Sequence, residues 1–380
     1  MATNNQRLQR RVLVQALAIG CLAWSAGCHT GAGSGPAGRI EHAGILAGFP
    51  GGTEAGPGRK LFFEPSAVIR NGEAALIAND KPIPGESPVL SVPIREFDKS
   101  YVDSSAVTYL RIAAFQNASK IESFAASTSW SFAATDFEGI TADPQEDTFN
   151  NLLAWPNGKP ELARILSPSE RAGVASSKEL RPSLAAALKS ATYPEGPPYY
   201  KIEGLASPDS KSLLFGVREI GTNYEHPEYC FIILQTALVA DSATGIGVSR
   251  NFTKLLEFRP VIPERPNIRL GLSSLEYDPE LGAFCALTSY EDGGNLGAYL
   301  WVFTLKDLAR HSPPRLVRTS SGRPLAFSHK AEGLMPLGKR RYLIVCDDDR
   351  ELKPIETSGG IHVRQPHEAA FFIVSLGALQ

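Results

Sequence analysis

Carboxylates set at the head of repeated apolar segments are the residues of this chain best placed to do chemistry. Four segments open alike: Lys120-Ile121-Glu122-Ser123-Phe124-Ala125, Lys201-Ile202-Glu203-Gly204-Leu205-Ala206, Ser274-Leu275-Glu276-Tyr277 and Lys330-Ala331-Glu332-Gly333-Leu334. Phe63-Glu64-Pro65-Ser66-Ala67 is a fifth, with Pro in place of Gly. Glu64, Glu122, Glu203, Glu276 and Glu332 thus recur at intervals of 56 to 81 residues. Each is followed, 13 to 16 residues on, by the polar end of a β-rich run: Asp80, Asp136, Arg218, Ser289 and Asp347. Glutamates gathered at one place repel unless a cation, an arginine or backbone donors compensate. A hard cation such as Ca²⁺, which takes six to eight oxygens, is one solution. Asp80, Asp136, Asp347 and Asp348 are then candidate calcium ligands. Arg218 is the candidate neutraliser of the ring or holder of an anionic ligand. Asp349, His329, Arg350 and Lys353 are lesser candidates for the same mouth. The plain alternative is that each Glu caps turn amides at a strand start and binds nothing.

The elements that would position these residues repeat with them. After each opening segment comes a run ending in the polar residue: Ala74 to Asp80, Trp130 to Asp136, Ser212 to Arg218, Ala283 to Ser289 and Arg341 to Asp347. A third apolar run follows: Pro88 to Ile94, Asn151 to Trp155, Tyr229 to Gln235, Ala298 to Leu305 and Ala370 to Leu376. Weaker fourth runs include Thr108 to Phe115 and Phe252 to Phe258. Four strands per unit, repeated, predict an all-β fold, a β-propeller of five four-stranded blades with a sixth allowed. The last unit has no room for a fourth strand, so Arg39 to Phe49 is expected to supply it and seal the ring. Leu180, Leu184 and Leu188 at i, i+4, i+8 predict one helix, Ser177 to Ala191, as a surface insertion in the second unit. The competing fold is a β-sandwich, which would scatter the Glu residues along separate edges.

The N-terminus reads as an address. Arg7, Arg10 and Arg11 precede a mostly apolar stretch, Val12 to Trp24, too short to span a bilayer. Ser25-Ala26-Gly27-Cys28 follows and resembles the lipobox of bacterial lipoproteins, with Ser25 where that family usually has Leu. Cys21 is a second candidate. The resemblance implies residues 1–27 as a signal peptide, lipidation at Cys28, and a membrane partner through the lipid in the cell envelope or periplasm. Residues 28–38, rich in Gly, read as a flexible tether, and residues 39–380 as the propeller domain. With a formal net charge of −2, nothing predicts nucleic acid as a partner. Cys230, Cys285 and Cys346 each sit in an apolar run and read as small buried hydrophobes.

KIEGLA at Lys201–Ala206, GVRE at Gly216–Glu219, KIESFA at Lys120–Ala125 and KAEGL at Lys330–Leu334 resemble exported bacterial propellers of the phytase-like and esterase-like superfamily. The resemblance covers roughly residues 60–380 and is specific for architecture rather than activity. No GxSxG elbow supplies an esterase nucleophile. His367-Glu368 begins like HExxH, but Phe371 stands where the second His must be. Gly245-Ile246-Gly247 lacks a third Gly, and no P-loop is present. Three readings stay open: a module binding a small molecule or envelope protein at its channel mouth, a calcium-assisted phosphoesterase of the phytase-like kind, and an envelope scaffold.

Overall fold

The computed structural model describes residues 35–81, 83–86, 89–109, 123–126, 152–155, 163–166, 173–175, 177–209, 211–241, 245–292 and 294–379. Among them strands dominate. The local reason is visible in the first hairpin, where Pro65–Asn71 returns as Ala74–Asn79 through a two-residue turn. Such a turn needs a positive φ, and Gly72 supplies it at 54°.

Five sheets of four or five strands carry the architecture. In chain order their first strands are Pro65–Asn71, Ser123–Ala126, Tyr199–Ala206, Gly271–Asp278 and Ala331–Gly338. In each sheet the inner strand pairs antiparallel with the strand that follows it and so hands the chain outward; the outermost pair of the last sheet, Gly38–Ala47 with Tyr101–Val102, is parallel. The inner strands also touch one another in sequence order, and the last touches the first. The result is an all-β, propeller-like arrangement. Apolar side chains of adjacent sheets interleave between them. Leu272 and Leu275 of the fourth sheet, for example, share a core with Ala206 and Phe231 of the third.

The last sheet is completed from the other end of the chain. Gly38–Ala47 pairs antiparallel with Glu368–Leu376, from Gly38 opposite Leu376 to Ala47 opposite Glu368, with one register slip between Ile40 and His42. This is the sealing strand expected at Arg39–Phe49. It leaves Glu368–Leu376 with a partner on both sides.

Two expectations shift. Leu152–Trp155 is the second strand of its sheet, directly beside Ser123–Ala126, rather than a third. The expected second run, Trp130 to Asp136, lies outside the described residues. The helix spans Ser177–Ala187. Leu180 and Leu184, with Leu188 just beyond its end, do not idle on the surface but pack into the core with Ile202, Leu205 and Phe215 of the third sheet. Cys285 and Cys346 are buried, Cys230 is partly so, and all three are free. No helix among the described residues is long and apolar enough to cross a membrane.

Candidate functional site

A shared backbone irregularity builds the site. In four inner strands the register with the second strand slips by one residue near the strand start. The extra residues are Ser66, Glu203, Ser273 and Glu332. A bulge leaves one residue unpaired and re-aims its side chain. All four are buried. The Gly that follows Glu203 and Glu332 has a packing reason. A Cβ at Gly204 would come within 2.7 Å of Leu275, and one at Gly333 within 3.0 Å of Val68, both on the neighbouring inner strand. The Glu-Gly pair therefore marks a bulge followed by a close approach of two sheets.

The second strands agree. Asn79, Val217, Thr288 and Cys346 are the partners of the residues just before each bulge. The next residues are Asp80, Arg218, Ser289 and Asp347, all buried. Antiparallel return puts these ends at the face where the inner strands begin. Arg218 Nη1 donates to Ser289 Oγ at 2.7 Å and lies 3.9 Å from Glu332 Oε1. Its Nη2 is 3.3 Å from Glu291 and its Nε 3.3 Å from Glu219. Its plane lies 5.2 Å from the Tyr229 ring centroid. Burial disfavours its charge, but Glu203 and Glu332 outweigh that and hold the proton more firmly than usual.

Lysines supply the rest of the compensation. Lys201 Nζ sits 2.6 Å from Glu203. Lys330 Nζ lies 3.1 Å from Glu332, 2.9 Å from Glu291 and 3.0 Å from Asp349. Its burial is offset by Glu332, Asp347, Asp349 and Glu291, which leave it firmly protonated. The carboxylates do not all ionise freely. Burial pushes Glu332 up to about 7, with Lys330 opposing and Glu203 adding to the rise. Burial likewise raises Asp347 well above the usual carboxylate range, against the pull of Lys330.

Glu64 does not occupy the bulge. It stands two residues earlier, and its carbonyl accepts from Asp80 N as that of Lys330 accepts from Asp347 N. Its register equivalent is thus Lys330; Lys201 likewise stands two residues before its bulge, opposite Glu219. Here the inner strand carries the anion, and Lys81 ion-pairs with it from the second strand's far end. Glu64, Asp80 and Asp347 offer one oxygen each within 4.8 Å of one another, all three buried. Two clefts open above them, both lined by Glu64, Lys81 and Arg350. One of about 590 Å³ continues along Glu291, Asp349 and Glu351. The other, of about 610 Å³, continues along Arg59 and Lys60.

The sequence-derived set is therefore redrawn. Glu64, Glu203, Glu332, Arg218, Asp80 and Asp347 gather at one mouth. Glu276 does not. It lies three residues past the bulge, opposite Cys285, and its charged neighbour is Asp278. Burial raises its carboxyl well above the usual carboxylate range. Asp348 is not free to bind an ion: its Oδ2 meets His329 Nδ1 at 2.5 Å and its Oδ1 accepts from Lys330 N. Lys353 donates to the carbonyls of Leu296 and Ser328, tying a strand to a loop. Glu122, Asp136 and Cys28 lie outside the described residues. The residues not anticipated are Lys81, Lys201, Lys330 and Glu291. Lys201 and Lys330 stood in plain view, opening the same KIE and KAE segments that end in the bulge Glu.

The class defined by this fold and site is an all-β, propeller-like protein with a buried, mixed-charge mouth. No protein-family model matches the chain, and none of the curated proteins does. Thirty-five solved chains do match. One is the PQQ-bound aldose sugar dehydrogenase of Streptomyces coelicolor, 14% identical over 90% of this chain and 100% of that one, TM-score 0.36. A second is the α-L-arabinofuranosidase of Podospora anserina in complex with cellotriose, 11% identical over 88% and 96%, TM-score 0.42. A third is the GH62 α-L-arabinofuranosidase catalytic domain of Coprinopsis cinerea, 11% identical over 88% and 97%, TM-score 0.42. At these identities they say nothing of what the mouth binds.

Proposed function

We propose that this protein is an exported five-bladed β-propeller, held at a bacterial envelope by a lipid on Cys28, whose channel mouth binds a cationic ligand. The helix Ser177–Ala187 joins its second and third blades. The seat of the ligand is the triad Glu64, Asp80 and Asp347, and a divalent cation of the calcium kind is the simplest occupant. The observation that carries this reading is the meeting of three buried carboxylate oxygens within 4.8 Å. An all-oxygen anionic donor set suits a hard cation. Lys81 is the internal competitor, and at 42% side-chain exposure it has room to swing away. Because burial raises Asp347, cation binding expels a proton, and affinity rises with pH.

The test is isothermal titration of the full chain with CaCl₂, with metal content measured after dialysis. One retained ion per chain is expected, lost in Asp347→Asn and bound about tenfold tighter in Lys81→Met, the worth of one nearby charge. No heat and no retained calcium or magnesium would sink the reading.

One observation favours a second reading, a calcium-assisted phosphoesterase. Arg59, Lys60, Lys81 and Arg350 line the cleft beside Glu64, which would place a phosphate next to the cation. Phosphate release from a phosphomonoester, dependent on added calcium and abolished in Asp347→Asn, separates it from simple binding.

A further inference from the structure

A second charged groove lies away from the mouth, where the described chain begins. It measures about 560 Å³, and Gly38, Arg39, Arg265, Tyr299, Arg323 and Leu325 are among its walls. The segment before the sealing strand is fixed beside it: Gly38 N donates to Arg318 O at 2.7 Å, and Gly377 N to Ala37 O at 2.7 Å. The groove therefore borders the point from which the N-terminal tether departs.

Its charge is unbalanced. Arg318 is matched by Glu264 at 2.7 Å. Arg39 has Glu41 at 3.0 Å, but Glu41 also serves Arg341 at 2.8 Å. Arg265 and Arg323 make no ion pair among the described residues. Arg265 donates to Tyr290 Oη at 2.6 Å and lies 4.8 Å over that ring, which fixes its guanidinium without neutralising it. Arg323 is held only by Ser321 Oγ at 3.4 Å. The walls of the groove thus hold three arginines, Arg39, Arg265 and Arg323, against one carboxylate, Glu264, in a protein whose formal net charge is −2.

We infer that this groove receives the anionic headgroup of a phospholipid at the surface to which the tether holds the chain. The inference rests on the anchored reading above. Only six residues lie between Cys28 and Gly35, so the two are at most about 25 Å apart at full extension. A basic groove kept that close to a membrane meets phosphate groups at high local concentration. The fork of a guanidinium suits phosphate geometry, and Arg265 is already oriented by Tyr290. One arginine near an anionic surface is worth roughly fivefold in partitioning, so two are worth about 25-fold.

The experiment uses the full chain in nanodiscs and reads amide hydrogen exchange at residues 262–265 and 319–325. Exchange should slow in discs containing phosphatidylglycerol and not in discs of phosphatidylcholine alone. The double variant Arg265→Gln/Arg323→Gln should lose that protection. In vesicle flotation, an unlipidated Cys28→Ala chain carrying both substitutions should partition to anionic vesicles about 25-fold more weakly than Cys28→Ala alone. Equal protection in both kinds of disc, or none, overturns the inference. So does protection by dissolved glycerol phosphate with no effect of the lipid, which would make the ligand a free anion. The mass of the Cys28 peptide tests the anchor separately. If it carries no lipid while anionic discs still protect the groove, the anchor falls and the headgroup site stands.

Discussion

Arg218→Met is the most informative single change, because it removes a fully buried cation from among Glu203, Glu219, Glu291 and Glu332 while keeping most of the side-chain volume. Breaking a buried charge network by removing one partner costs about 3–5 kcal/mol when the remaining charges cannot escape. These carboxylates can escape by taking up protons, so the cost depends on pH. Glu332 sits at about 7 even with Arg218 present. Its folded value is raised above an unfolded value near 4.3. The folded chain therefore binds more protons than the unfolded chain between roughly pH 4 and 7. The stability tied to that proton is complete below about pH 4 and is lost as pH rises through about 7, a loss of up to about 3.5 kcal/mol. Without Arg218 the folded value climbs further, and the loss extends to higher pH. Urea unfolding of wild type and Arg218→Met at pH 5 and pH 8.5 checks this. The variant should be destabilised by about 3–5 kcal/mol at pH 8.5 and by about half that or less at pH 5. An equal loss at both pH values, or less than about 1 kcal/mol at pH 8.5, would refute the idea that Arg218 balances the mouth carboxylates.

Other substitutions sort the acidic residues by role. Glu276→Gln should become more stable relative to wild type as pH rises from 5 to 8.5, because burial raises the folded Glu276 carboxyl well above its ordinary value and Gln has no such proton to lose; thermal melts of the two chains at both pH values check this. Asp348→Ala should cost about 2–4 kcal/mol in urea unfolding, since it strips His329 Nδ1 and Lys330 N of their acceptor in a fully buried place. Cys285 and Cys346 should resist an uncharged thiol reagent at pH 8 in the folded protein and react on unfolding in urea, because burial raises Cys285 to about 12 and Cys346 well above its ordinary value.

The second-strand ends were the most legible part of the site. Asp80, Arg218, Ser289 and Asp347 share a structural register, and the same four emerge from counting to the end of an apolar run. That count works because a run stops where the strand leaves the core, a boundary composition records. The first-strand glutamates were legible at Glu203 and Glu332 only. The feature that orders them is a bulge, which shifts alternation by one residue and leaves no residue type of its own: Ser66 and Ser273 hold the position as well as Glu does. Aligning by Glu therefore slid the first strand by two residues to Glu64 and the fourth by three to Glu276. The lysines carry no such signal in the sequence. A lysine at a strand start reads as a solvated end, and only the closing of neighbouring sheets shows that Lys330 is buried. The sealing strand was legible because a missing fourth strand at one terminus and an unassigned apolar run at the other demand each other.

That sealing strand also sets an order of events in time. The first strand described, Gly38–Ala47, has its long partner in Glu368–Leu376 and meets Tyr101–Val102 through two residue pairs only. A chain emerging from a ribosome or crossing a membrane N-terminus first would carry that strand largely unpaired until Glu368–Leu376 had arrived. The inner sheets, each built from neighbours in sequence, are free to form hairpins meanwhile, but the ring cannot lock. Completion of the ring thus waits on Glu368–Leu376. A molecule lacking that strand keeps its hairpins yet lacks the latch, and displays two raw sheet edges that an intact copy does not show.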